Sequence, residues 1–233
     1  MTETSAPIRF DQGPRRRTRR RVRHNLVILL AGLAVGCAVG FFFWPDHRAA
    51  FSAGTAYVGL GCVALSLVLG PLNLLRSRPN PVSNDLRRDL GIWGAIMGLV
   101  HTGVGLTVHL RGKMHLYFLP PPEWEARFPL RIDGFGGANH LGVVASVLLL
   151  VLLALSSDTA LRRLGSKRWK RWQRLNYWSA LAILGHGVLY QLLERRQIGL
   201  VILFATVVLV TLLFQLLGVR QTRRPTAGPA EVV

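Results

Sequence analysis

Six stretches of this chain are apolar, several of them for about 18–22 residues, long enough as helices to cross the hydrocarbon core of a bilayer. They fall near Leu26–Trp44, Phe51–Leu75, Leu90–Leu110, Asn139–Ser156, Trp172–Leu193 and Ile198–Leu217. In lipid a spanning segment must satisfy its backbone internally, and helices do so. The expectation is an all-α polytopic membrane protein whose six-transmembrane-helix bundle occupies residues 25–218. A basic disordered tail (1–24) would precede it and a second tail (219–233) would follow.

The chain has 233 residues, half of them hydrophobic, and a formal charge of +18. That charge does not call for nucleic acid, because the arginines gather at the ends of the apolar stretches, where topology accounts for them. Arg15, Arg16, Arg17, Arg19, Arg20, Arg21 and Arg23 precede the first stretch. Arg76–Asp89 and Ser157–Arg171 are basic connectors, and Arg220, Arg223 and Arg224 follow the last stretch. With six spans these four segments share one side, so both termini are expected in the cytoplasm of a cell inner or plasma membrane protein, with the N-terminal arginines near anionic lipid. The paired arginines could begin a cleaved export signal. The long apolar run behind them ends in Phe41-Phe42-Phe43-Trp44 and lacks a small-residue cleavage site, so a retained helix is expected. Pro71 should kink or fray the second span. Asn84 or Asp85 should cap the third. Cys37 and Cys62 lie inside spans without CxxC spacing and read as packing residues.

Two spans carry a histidine deep in apolar surroundings. His101 lies 13 residues past Arg88, and His186 lies 13 past Gln173. If both helices begin at the basic face, both imidazoles sit roughly 20 Å from it. Ionisable residues inside a membrane are costly and are functional candidates. Depth-matched histidines on two helices meet the needs of a bis-histidine b-type haem. On the His101 helix, Gly91, Gly94, Gly98 and Gly105 share its face at 3–4-residue spacing. Interior glycines are unfavourable and need a reason. A flat porphyrin against the backbone is one reason, and close helix packing is the other. Beside His186 stand Ser179, Ala182, Gly185 and Gly187. His109, His115 and His140 gather near the outer mouth, where they could bind a metal, a quinone head group or a haem propionate, or simply be solvated. Arg87, Arg88, Arg168 and Arg171 could meet a propionate or lipid phosphate.

Two segments carry a resemblance. Arg87-Arg88-Asp89-Leu90-Gly91 with Val100-His101 resembles the RRxLG…LH segment of the ferric-reductase-like transmembrane family. Leu164-Gly165, Trp169, Gln173, Tyr177 and His186 resemble its LGxxWxxLHxxxY…H segment. The similarity runs over roughly residues 55–215 and is greatest to the haem-binding membrane subunits of bacterial periplasmic methionine-sulfoxide reductase systems. It implies a six-helix cytochrome b unit that passes electrons across the membrane. By the resemblance, His101 and His186 ligate one haem b, with Gly94, Gly98 and Gly105 beside it. Relatives with two stacked haems use four histidines. Here Gln173 replaces the first histidine of the fifth span, and glutamine is a poor ligand for haem iron, which counts against a second haem. A rival pairing, His115 with His186 and His101 with Gln173, mismatches both pairs in depth by about 15–20 Å.

No glycine-rich nucleotide fingerprint follows the last span, so a separate electron donor is expected, a flavin reductase or a quinol, with an acceptor at the outer face. A haem-free scaffold or assembly subunit of the same fold is the alternative, because of Gln173. A transporter-like bundle is disfavoured by the lack of an inverted repeat and of intramembrane carboxylates.

Overall fold

The computed structural model describes residues 14–43, 46–76, 81–124 and 128–223. Every regular element among them is helical. The α-helices are α1 (Pro14–Phe43), α2 (His47–Leu75), α3 (Pro81–Val108), α4 (Gly134–Leu155), α5 (Asp158–Gln173), α6 (Leu175–Leu193) and α7 (Ile198–Arg223), with two short 3₁₀ turns between α3 and α4. Five of them, α1, α2, α3, α4 and α7, are long and apolar enough to cross a membrane. The 19-residue α6 is diluted by Asn176, His186 and Gln191 and packs against α4. Apolar side chains turned outward, such as Leu209 and Leu216 on α7 and Val147 and Leu150 on α4, give the bundle the exterior a bilayer requires.

Several boundaries differ from those the sequence implies. The arginine-rich segment expected as a disordered tail is helical from Pro14 onward, continuous with the first span; positions 1–13 and 224–233 of the two tails lie outside the described residues. Helix α3 begins at Pro81, so Asn84 and Asp85 lie inside it and neither caps it. Asp85 instead pairs with Arg20 of α1. The basic connector after α4 is a helix in its own right, α5. Helix α4 starts at Gly134, five residues before the expected Asn139, because the Asp133 side chain caps it by accepting from Gly136 N at 2.8 Å.

Arg131 grips the same Asp133 carboxylate with two 2.9 Å bonds and holds it below the usual carboxylate range. A carboxylate so lowered contributes fully above the ordinary carboxylate range, and its contribution is lost as the pH falls through the lowered value. Asp133→Ala should therefore cost about 1 kcal/mol at neutral pH. The gap between wild type and variant, measured by denaturant titration in detergent, should close in acid.

Helix α2 is central and packs against α1, α3 and α7, while α4 bridges α3 and α6. The crossings are made by small residues. A Cβ on Gly54 would meet the Gly36 carbonyl oxygen at 2.7 Å, and one on Gly59 would meet Gly98 N at 3.3 Å, so backbones touch where side chains are absent. Val63, Leu67, Ala95 and Leu149 form one apolar core, and Val58, buried Cys62 and Leu90 form another.

Pro71 does not end α2, which runs on to Leu75. A proline cannot donate to the carbonyl four residues back, here Leu67. Gln215 of α7 fills that place, donating to the Leu67 carbonyl at 2.8 Å.

Ionic anchors gather at the basic end. Arg21 donates twice to Asp89 Oδ1, at 3.1 and 2.7 Å, and Asp89 is fully buried. His24 Nδ1 lies 3.5 Å from Asp89 Oδ2, and Trp93 Nε1 donates to Asn25. Arg88 donates to the carbonyl of Ser156 at the end of α4 and to Asp158. This satisfies a helix-terminal acceptor left without an intrahelical partner.

Candidate functional site

His101 on α3 and His186 on α6 face each other across a cavity that both line, with ring centroids 6.1 Å apart and planes inclined at 71°. The cavity has a volume of about 220 Å³.

Each imidazole is fixed through Nδ1. His101 Nδ1 lies 2.9 Å from the Ser52 carbonyl oxygen, with Ser52 Oγ at 3.1 Å. His186 Nδ1 lies 2.8 Å from the Ala138 carbonyl oxygen. A carbonyl only accepts, so each Nδ1 carries the proton and donates. In the neutral ring the lone pair is then on Nε2. Metal-bound histidines are oriented in this way, by a backbone or carboxylate acceptor on the other nitrogen. A nitrogen–metal bond of about 2 Å on either side of one ion places two imidazole centroids about 6 Å apart. The separation and the tautomers therefore fit a pair of neutral imidazoles that could hold one metal centre between them.

The glycines divide between two jobs. Gly94, Gly98 and Gly105 all line the cavity. A Cβ on Gly94 would nonetheless meet Val63 Cγ2 at 2.8 Å, and one on Gly98 would meet Leu149 Cδ1 at 2.7 Å. These two first serve the approach of α2 and α4 to α3. At Gly105 the nearest atoms, Ser52 Oγ at 3.4 Å and His101 Cε1 at 3.7 Å, are in ordinary contact. Gly187 makes room for Phe204 of α7. Ser179 and Ala182 are buried.

The rival pairing is not brought together. His115 is exposed on the 3₁₀ turn beyond α3, and Gln173, at the end of α5, is outside the cavity. Nor do the three outer histidines converge. His109 Nε2 lies 2.7 Å from Glu194 Oε1, while His140 Nε2 donates to the Arg131 carbonyl at 3.2 Å. Among the described residues no group of three or more histidine, cysteine, aspartate or glutamate side chains could hold a metal ion. None of Arg87, Arg88, Arg168 and Arg171 lines the cavity; Arg196 does.

Residues that sequence reasoning passed over complete the walls. Gly142 of α4 lies against His186, where a Cβ would stand 2.9 Å from Nδ1. Tyr190, one helical turn beyond His186, lies against it with ring centroids 4.8 Å apart and planes tilted at 49°, and donates to Asn139. That i, i+4 spacing was a usable signal. At the mouth, burial pushes the Glu194 carboxyl up. The His109 hydrogen bond and the Arg196 charge outweigh it and hold the group below its ordinary value. Tyr117, almost wholly buried, donates to the Gly105 carbonyl and accepts from His109 N. It thereby ties the loop after α3 to the end of that helix.

Residues 55–185 match the family described as ferric reductase like transmembrane component, more than half of the chain. The chain belongs to that family. No curated protein matches it. The matched region of this ferric-reductase-like protein begins in α2, at the turn after Ser52, and ends one residue before His186. It therefore includes His101, Gly142 and the Ala138 carbonyl. Membership supports a multi-pass membrane protein that acts as an electron-transfer subunit.

Proposed function

We propose that this protein is a b-type cytochrome subunit holding one haem between His101 and His186 and relaying single electrons to an acceptor at the outer face. The supporting observation is the pair of imidazoles, each anchored at Nδ1 by a backbone carbonyl with Nε2 left as the lone-pair nitrogen, 6.1 Å apart. The haem would supply the one-electron couple. His101 and His186 would hold the iron and set its potential, and the apolar walls Leu60, Val63, Leu149 and Phe204 would keep water from it. Gly105 gives the porphyrin edge a surface without a side chain, and Gly94 and Gly98 bring the three surrounding helices close.

In this reading α6 is the sixth span. The basic end of the bundle, with both termini, faces the cytoplasm of a cell inner or plasma membrane. A separate flavin reductase or quinol delivers electrons, and an exported reductase or ferric iron takes them. Similarity to the membrane subunits of periplasmic methionine-sulfoxide reductase systems makes such a reductase the first acceptor to try. Gln173, outside the cavity, offers no second haem.

The test is a reduced-minus-oxidised spectrum of the detergent-purified protein with a pyridine haemochrome assay. A b-type α-band at one haem per chain is expected. A colourless preparation from haem-replete cells would favour the haem-free scaffold. Gly142→Val places carbon where the His186 ring sits, and overpacking a fixed ring costs roughly 1–3 kcal/mol. Its haem content should fall several-fold while circular dichroism stays helical.

A further inference from the structure

Helix α5 is formed without the support that holds helices together elsewhere in this chain. None of its residues is buried. Gly165, at φ 69° and ψ 158°, interrupts it near the middle, leaving two pieces of about two turns each. Helical pieces that short are marginal in water and depend on a covered face. The contact it makes with α4 includes Trp169, whose Nε1 donates to the Leu155 carbonyl at 2.9 Å.

Its composition states what would cover it. Arg162, Arg163, Lys167, Arg168, Lys170 and Arg171 stand against one acid, Asp158, which Arg88 of α3 holds at 2.6 Å. Among the described residues no carboxylate pairs with Arg163, Lys167, Arg168, Lys170 or Arg171. Ala160, Leu161, Leu164, Trp169 and Gln173 are its less exposed positions and Trp169 ties them to α4, whereas its cations are exposed. Trp172 in its last turn and Tyr177 and Trp178 just beyond it are 50%, 55% and 64% exposed, at the level where tryptophan and tyrosine mark the edge of a bilayer.

We propose that α5 lies in the membrane–water interface at the basic end of the bundle, its exposed cations on anionic phospholipid headgroups and Trp172, Tyr177 and Trp178 at the edge of the acyl region. A cationic, aromatic-flanked helix of this kind binds through buried apolar area together with attraction to anionic lipid. The proposal concerns the bundle in its bilayer and does not depend on haem.

Hydrogen exchange of α5 amides is the test, on the full-length protein in nanodiscs of phosphatidylcholine alone or with one-third phosphatidylglycerol. Exchange should slow at least tenfold with phosphatidylglycerol, and 0.5 M salt should reverse most of that protection. The variant Arg163→Gln/Lys167→Gln/Lys170→Gln should exchange quickly in both lipids, and Arg163→Lys should behave as wild type. Unchanged protection across α2–α4 marks an intact bundle. Protection that is equal in the two lipids, or that survives the triple substitution, overturns the proposal. So does an α5 that stays fast on phosphatidylglycerol and slows only with an acidic soluble protein.

Discussion

His101→Ala and His186→Ala should each take bound haem from about one per chain to near zero, whereas Gln173→Ala should leave the α-band in place. Both imidazoles would be needed to hold the haem, so loss of either should release it. His109 is committed to Glu194 and His140 to the Arg131 carbonyl, so neither is placed to substitute. Added imidazole should restore part of the spectrum in both alanine variants, since the missing side chain leaves room for it. If His115→Ala or Gln173→Ala removes the band and His101→Ala does not, the ligands are the rival pair. The spectrum decides the matter, and helicity by circular dichroism separates ligand loss from unfolding.

The second large effect is expected at the opposite end of the bundle. Asp89→Ala should lower the unfolding free energy, read from denaturant titration in detergent, by about 2–4 kcal/mol, toward the lower part of the range for a broken buried pair. The carboxylate is fully buried, and it alone receives the two Arg21 bonds. Arg21 keeps 29% of its side chain exposed, so part of its charge can return to water and the loss is moderated. The double variant Arg21→Met/Asp89→Ala should lose less than the sum of the two single changes, because removing both partners leaves no orphaned charge. A purely additive double variant would mean that the pair contributes no coupling. Since Asp89 lies on α3, twelve residues before His101, loosening it should also broaden the haem spectrum without abolishing it.

The sequence by itself determined the class of fold and the chemical candidates. Runs of apolar residues dictate membrane helices because a bilayer offers the backbone no hydrogen bonds, and that argument needs no coordinates. The depth match of His101 and His186 follows from counting residues along helices of fixed rise, and the structure does bring these two together. Other features were out of reach because they depend on which helices become neighbours. The Ser52 and Ala138 carbonyls that orient the two rings belong to α2 and α4, and a backbone acceptor has no signature in the residue that carries it. Gly94 and Gly98 were legible as an open face, but whether that face meets a cofactor or Val63 and Leu149 was a matter of packing. Likewise Pro71 forecasts a lost bond to Leu67, and only the placing of α7 supplies Gln215 to mend it. The arginines show the same division. Their clustering announces the basic face, while the pairing of Arg20 with Asp85, Arg21 with Asp89 and Arg88 with Ser156 is settled by tertiary distance alone. A long flexible side chain can reach any partner the fold brings within a few ångströms, so its sequence neighbours do not reveal the choice.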